Sequence, residues 1–102
     1  MFDPSPFSSP GEWVKAGFHC HTVNSDGGLT PEETARIYRQ RGFGCLGITD
    51  HRTVTPVEAL SDAGFIGINS TENGGDPDVI GVGVSHAVPE DLPLADRARL
   101  LA

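Results

Sequence analysis

A chain of 102 residues with a formal net charge of −7 holds one domain at most and repels polyanions at long range, which argues against a nucleic-acid surface. Its 37% hydrophobic content supports a modest core, and 13 glycines with eight prolines make it loop-rich without the charge density of a disordered chain. No run approaches the roughly 20 apolar residues of a membrane span, and the start, Met1-Phe2-Asp3-Pro4-Ser5-Pro6, lacks the basic and apolar regions of a signal peptide. The expectation is a cytoplasmic protein in which Cys20 and Cys45 are reduced, small apolar residues rather than a disulfide framework.

Residues 1–12 carry three prolines and read as an irregular lead-in to a domain over 13–102. Trp13 to Phe18 is a candidate first strand, with Trp13 a core or edge anchor. It runs into Phe18-His19-Cys20-His21, where a period of two turns both imidazoles to one side and Cys20 to the other. That alternation disfavours Cys20 as a nucleophile. Asp26-Gly27-Gly28 then signals a turn.

Thr30-Pro31-Glu32-Glu33 has the form of a helix start: Thr30 as N-cap, Pro31 at the first helical position and Glu33 three residues after the cap. Ala35, Ile37 and Tyr38 supply the apolar stripe, Arg36, Arg39 and Arg41 suit the C-terminal dipole as a solvated face, and Gly42 ends the helix. Cys45 to Thr49 is a second strand that delivers Asp50 and His51. Pro56 to Ala63 reads as a short helix, Phe65 to Ile68 as a third strand leading to Glu72, and Val79 to Val84 as a fourth. Asp91 to Ala102 opens another helix, with Leu92, Leu94, Ala95, Ala98 and Leu101 apolar.

This strand–helix rhythm predicts an α/β fold with parallel pairing. In such folds ligands gather at the C-terminal ends of the strands, where His19, His21, His51 and Glu72 all fall. Three imidazoles with two carboxylates suit zinc, manganese or iron in an open hydrolytic site better than a closed structural zinc site. Asp50 is a candidate partner for an imidazole N–H, or a bridging ligand. His86 reads as solvent-exposed. No nucleophile elbow, phosphate-binding loop or dinucleotide fingerprint competes.

Phe18-His19-Cys20-His21-Thr22, Ser25-Asp26-Gly27, Pro31-Glu32-Glu33, Gly42-Phe43-Gly44 and Ile48-Thr49-Asp50-His51 together resemble, in order and spacing, the start of a PHP (polymerase and histidinol phosphatase) domain. The resemblance covers about residues 12 to 88. The Trp13–Gly17 approach and Tyr38 are similar to the branch with the carbaryl-hydrolase-like metallohydrolases. It implies the N-terminal part of a distorted seven-stranded β/α barrel, about four strands with two to three helices, bearing a centre of two or three divalent metals (Mn²⁺, Zn²⁺ or Fe²⁺). By motif, His19 and His21 would hold one metal, Asp26 and His51 a neighbouring one, and Glu72 would bridge. Asp78 stands where family members often carry a histidine; it could substitute as a ligand or be a turn aspartate beside Pro77.

The implied activity is phosphoesterase, with hydroxide on the metal attacking a small-molecule phosphate ester. Ester hydrolysis of the carbaryl type is an alternative. The family's later ligands fall beyond Ala102, so the chain is expected to supply the first half of a barrel, with open edges that favour self-association. A non-catalytic metal-binding or interaction module is the other reading of so partial a ligand set.

Overall fold

The structure is a computed structural model that describes residues 10–102; most of the expected lead-in lies outside the described residues. The architecture is α/β: a four-stranded, curled sheet of half-barrel form with two helices. The elements are β1 (Ala16–Gly17), α1 (Pro31–Gln40), β2 (Cys45–Ile48), β3 (Ile66–Asn73), β4 (Val79–Val82) and α2 (Leu94–Leu101), in the sheet order β1-β2-β3-β4.

The first three strands are parallel, with Gly17 opposite Leu46, Leu46 opposite Gly67 and Ile48 opposite Asn69. Helix α1 makes the β1–β2 crossover. Its start matches expectation: the Thr30 hydroxyl accepts from the Glu33 N–H, and the Glu33 carboxylate accepts from the Thr30 N–H. Gly42 closes it at φ +85°, a left-handed conformation that glycine adopts without a Cβ penalty. Strand β2 is buried along its whole length, as a central parallel strand should be. Leu46 and Ile48 meet Ala35, Val57 and Phe65 in the core, with Cys20, Tyr38 and Leu60 against its margin.

Five expectations are corrected. The first strand shrinks to Ala16–Gly17, which among the described residues pairs with β2 alone, and Trp13, expected as a core or edge anchor, is 87% exposed and so is not in the core. The Pro56–Ala63 helix is a single 3₁₀ turn, Glu58–Leu60. Its entry is set by the Asn69 side chain, which accepts from the Val57 and Glu58 N–H groups. Strand β4 runs antiparallel to β3, since the few residues between Asn73 and Val79 cannot make the dozen-residue crossover that parallel pairing needs.

That strand stops at Val82, before Gly83 at φ +71°. Helix α2 starts only at Leu94, and it buries Arg97 and Leu101 while Leu94 remains 44% exposed. Arg97 donates to the Leu92 and Pro77 carbonyls and to the Asn73 side chain, so the helix is tied to the β3–β4 turn by a buried guanidinium.

The arginine row on α1 is not aimed at the histidines. Arg39 pairs with Asp62 at 2.6 Å and lies over the Phe65 ring.

Candidate metal centre

Parallel pairing of β1, β2 and β3 sends their C-terminal ends to one rim. The β1–β2 pairing extends beyond the strands, as the Thr49 N–H donates to the Cys20 carbonyl, and His51 pairs with Glu72 in parallel register. His19 and His21 therefore leave the end of β1, His51 the end of β2, and Glu72 the last part of β3. Cys20 packs against the core, on the other side from its neighbours, as alternation predicts.

The side chains converge. Glu72 Oε1 lies 2.7 Å from His19 Nε2 and 2.9 Å from His21 Nε2, while its Oε2 lies 3.2 Å from His51 Nδ1. Asp26 completes the set from the opposite side, with Oδ1 2.7 Å from His21 Nδ1 and Oδ2 3.4 Å from His51 Nε2. Asp26, His21, Glu72 and His51 thus alternate carboxylate and imidazole around a closed ring, and His19 is attached at Glu72. Two groups of donors are close enough to share an ion: His19, His21 and Glu72, and His21, Asp26 and His51.

The ring's electrostatics follow from its alternation. Carboxylates only accept hydrogen bonds, so each ring nitrogen must present a proton or yield its place to a cation. Burial alone would lower the pKa of His21, but hydrogen bonds to Glu72 and Asp26, and their charge, outweigh it and raise it. Burial would likewise raise the Glu72 carboxyl, yet hydrogen bonds from His21 and His19 and the nearby imidazole charge hold it below the ordinary value. Asp26 is also lowered, chiefly by its hydrogen bond with His21.

The donor set fits a divalent ion: mixed nitrogen and oxygen ligands, two carboxylates to balance charge, and Glu72 at 6% side-chain exposure under three imidazoles. A neutral imidazole offers one lone pair, so His21 can serve only one group at a time. With Nε2 given to the His19–Glu72 group, its Nδ1–H points at Asp26, the usual way a carboxylate orients a metal-binding imidazole.

Beneath the ring lies a second carboxylate with a different task. Asp50 is fully buried and touches no imidazole, contrary to its expected role as an imidazole partner. It accepts from the Thr22 N–H, the Thr22, Ser25 and Thr55 hydroxyls, with distances of 2.6 Å for the first three. Burial raises its pKa, but these four donors more than offset that and leave it lowered. Asp50 therefore pins the Thr22–Ser25 loop between His21 and Asp26. Gly27 completes that loop, because a Cβ there would overlap the His21 carbonyl.

Thr22 and Ser25 stand in the sequence motifs without a role of their own, and Thr55 stands in none. Isolated hydroxyl residues give no signal until their common acceptor is known.

Asp78 joins neither donor group. It accepts from the Gly75 N–H at 2.9 Å, as a turn aspartate does. His86 is exposed and donates from Nε2 to the Leu100 carbonyl. Among the described residues, no helix is long and apolar enough to cross a membrane.

Comparison with known proteins is narrow. The chain is 33% identical over 89 residues to an uncharacterized protein of Methanocaldococcus jannaschii, an alignment that covers 84% of this chain and 41% of the relative. The chain thus spans about two fifths of that relative's length. No family model matches the chain, and no solved structure matches it.

Proposed function

We propose that this chain provides the first ligand-bearing part of a PHP-type, metal-dependent phosphoesterase. The observation that carries the reading is the cluster: His19, His21, His51 and Glu72 from three neighbouring strands and Asp26 from the turn after His21 converge on one rim. The sequence resemblance to PHP domains, carried by the same residues, supports it. Bound divalent ions would supply Lewis acidity and acidify a water molecule at neutral pH.

The chain's own residues divide the remaining work. His19, His21 and Glu72 would hold one ion, and Asp26 and His51 would serve a neighbouring one, with Glu72 placed between the two groups. The buried Asp50 carboxylate fixes the loop on which His21 and Asp26 sit, so the ligands are held before the ion arrives.

One observation favours a second reading, a non-catalytic metal-binding module: the His19 side chain is 64% exposed, leaving one side of the cluster open. Turnover of bis(p-nitrophenyl) phosphate and p-nitrophenyl phosphate by the full-length protein, with Mn²⁺ or Zn²⁺ added, separates the two. The enzyme reading expects metal-dependent turnover that His19→Ala reduces far more than threefold. Loss of threefold or less sinks the site assignment, and faster hydrolysis of a carboxylic ester points to the carbaryl-type alternative. Metal binding without turnover of any ester identifies the module.

A further inference from the structure

Arg52 follows His51 directly and stands at φ +58°, the one non-glycine residue at positive φ among the described residues. An L-residue with a long side chain rarely adopts this conformation. Here it is enforced: the Arg52 N–H donates to the Glu72 carbonyl at 3.2 Å, beside the His51–Glu72 pairing. Backbone strain that surrounding structure maintains in this way clusters at ligand sites.

The side chain has a distinctive position. Arg52 lines both hollows that flank His51. One, of about 570 Å³, is shared with Ser25 and Asp26. The other, of about 490 Å³, is shared with Glu72 and Glu90. Among the described residues, no other lysine or arginine lines either hollow. Its guanidinium meets Glu90 at 3.4 Å with 70% of the side chain exposed, a loose pair that a better-placed anion can displace at small cost.

We propose that Arg52 is the specificity residue for substrate charge, its guanidinium fork taking two non-bridging oxygens of a phosphoryl group seated over His51. This rests on the metal-site reading above. The chemical argument is charge balance. The rim is rich in carboxylates, so an anionic substrate needs fixed positive charge beside the metal ligands, and a guanidinium matches phosphoryl oxygens in a way that an ammonium does not. The left-handed backbone explains why the cation stands at this position: it places Arg52 against both hollows while His51 stays in register with Glu72.

The test uses inorganic phosphate titrated calorimetrically into the Mn²⁺-loaded full-length protein, with Mn²⁺ affinity measured in parallel. Arg52→Gly removes the guanidinium and suits the backbone conformation, so misfolding does not confound the result. Phosphate should bind about 10- to 100-fold more weakly to Arg52→Gly, the loss expected for a charge-assisted hydrogen-bonded pair, with Mn²⁺ affinity changed less than twofold. Arg52→Lys should fall between the two. Equal phosphate affinity in native protein and Arg52→Gly overturns the assignment of Arg52 and leaves the metal site standing. Failure of the native protein to take up Mn²⁺ overturns the metal-site reading and this inference with it.

Discussion

Two carboxylates a few ångströms from the same loop show opposite designs. Asp50, under the rim, is surrounded by donors that can only donate to it: one N–H and three hydroxyls. Glu72, on the rim, faces three imidazoles whose nitrogens can give a proton or a lone pair. The Asp50 site is satisfied as it stands. The ring around Glu72 is satisfied only while protons occupy it, which leaves it free to exchange them for cations. Both carboxylates have lowered pKa values, yet Asp50 is closed in by its donors while Glu72 stands in a donor group that could hold a metal ion.

The strongest way to break that contrast is at Glu72. Glu72→Gln keeps the shape but replaces one oxygen with an amide that cannot accept, so metal affinity should fall at least about 100-fold. Thermal stability of the metal-free protein should change far less than the affinity does. Competition for the metal with a chromophoric chelator reads the first, and thermal unfolding without metal reads the second.

Asp50→Asn should reverse the pattern. Its amide group would oppose some of the four donors in a fully buried place, costing about 3 kcal/mol of stability by denaturant titration. Metal affinity measured on the surviving folded fraction should fall less than in Glu72→Gln. A stability loss under about 0.5 kcal/mol, the size of an ordinary surface change, would show that Asp50 is not the scaffold carboxylate.

A smaller effect follows from pH. His21 has a raised pKa in the folded state, so without metal its contribution is fully present below the ordinary imidazole value of 6.5 and is lost as pH rises through the raised value. The lowered carboxyl of Glu72 contributes above its ordinary value of 4.5 and loses that contribution as pH falls through the lowered value. The metal-free protein should therefore gain most from the ring between these limits. Metal uptake requires His21 to release a proton, so it should strengthen as pH rises past the raised His21 value. Metal affinity that is flat from pH 5 to 8 would contradict the exchange of protons for cations. Smallest of all, Asp78→Ala should change metal affinity less than twofold, since Asp78 caps a turn.

Much of the site was legible in the sequence because the relevant information is local. His19 and His21 share a face through a period of two, and the strand end that delivers His51 can be read from its apolar run, whereas the run Phe65–Ile68 stops short of Glu72, which lies inside β3. The capping box at Thr30 and the stop at Gly42 were legible for the same reason. What escaped depends on partners distant in the chain. The hydroxyls that hold Asp50 come from Thr22, Ser25 and Thr55, the 3₁₀ turn at Glu58 is set by Asn69, and the direction of β4 follows from a connection too short to cross over. Trp13 shows the converse limit: an apolar residue beside a strand suggests a core or edge anchor, and its 87% exposure removes only the core.

The central claim is that the ring exchanges protons for metal ions at Glu72. Crystals grown with Zn²⁺ and measured on both sides of the zinc absorption edge test it most directly. The account predicts an anomalous peak between His19 Nε2, His21 Nε2 and Glu72 Oε1, lost in Glu72→Gln. Zinc elsewhere on the surface, with the imidazole–carboxylate hydrogen bonds of the ring intact, would contradict it.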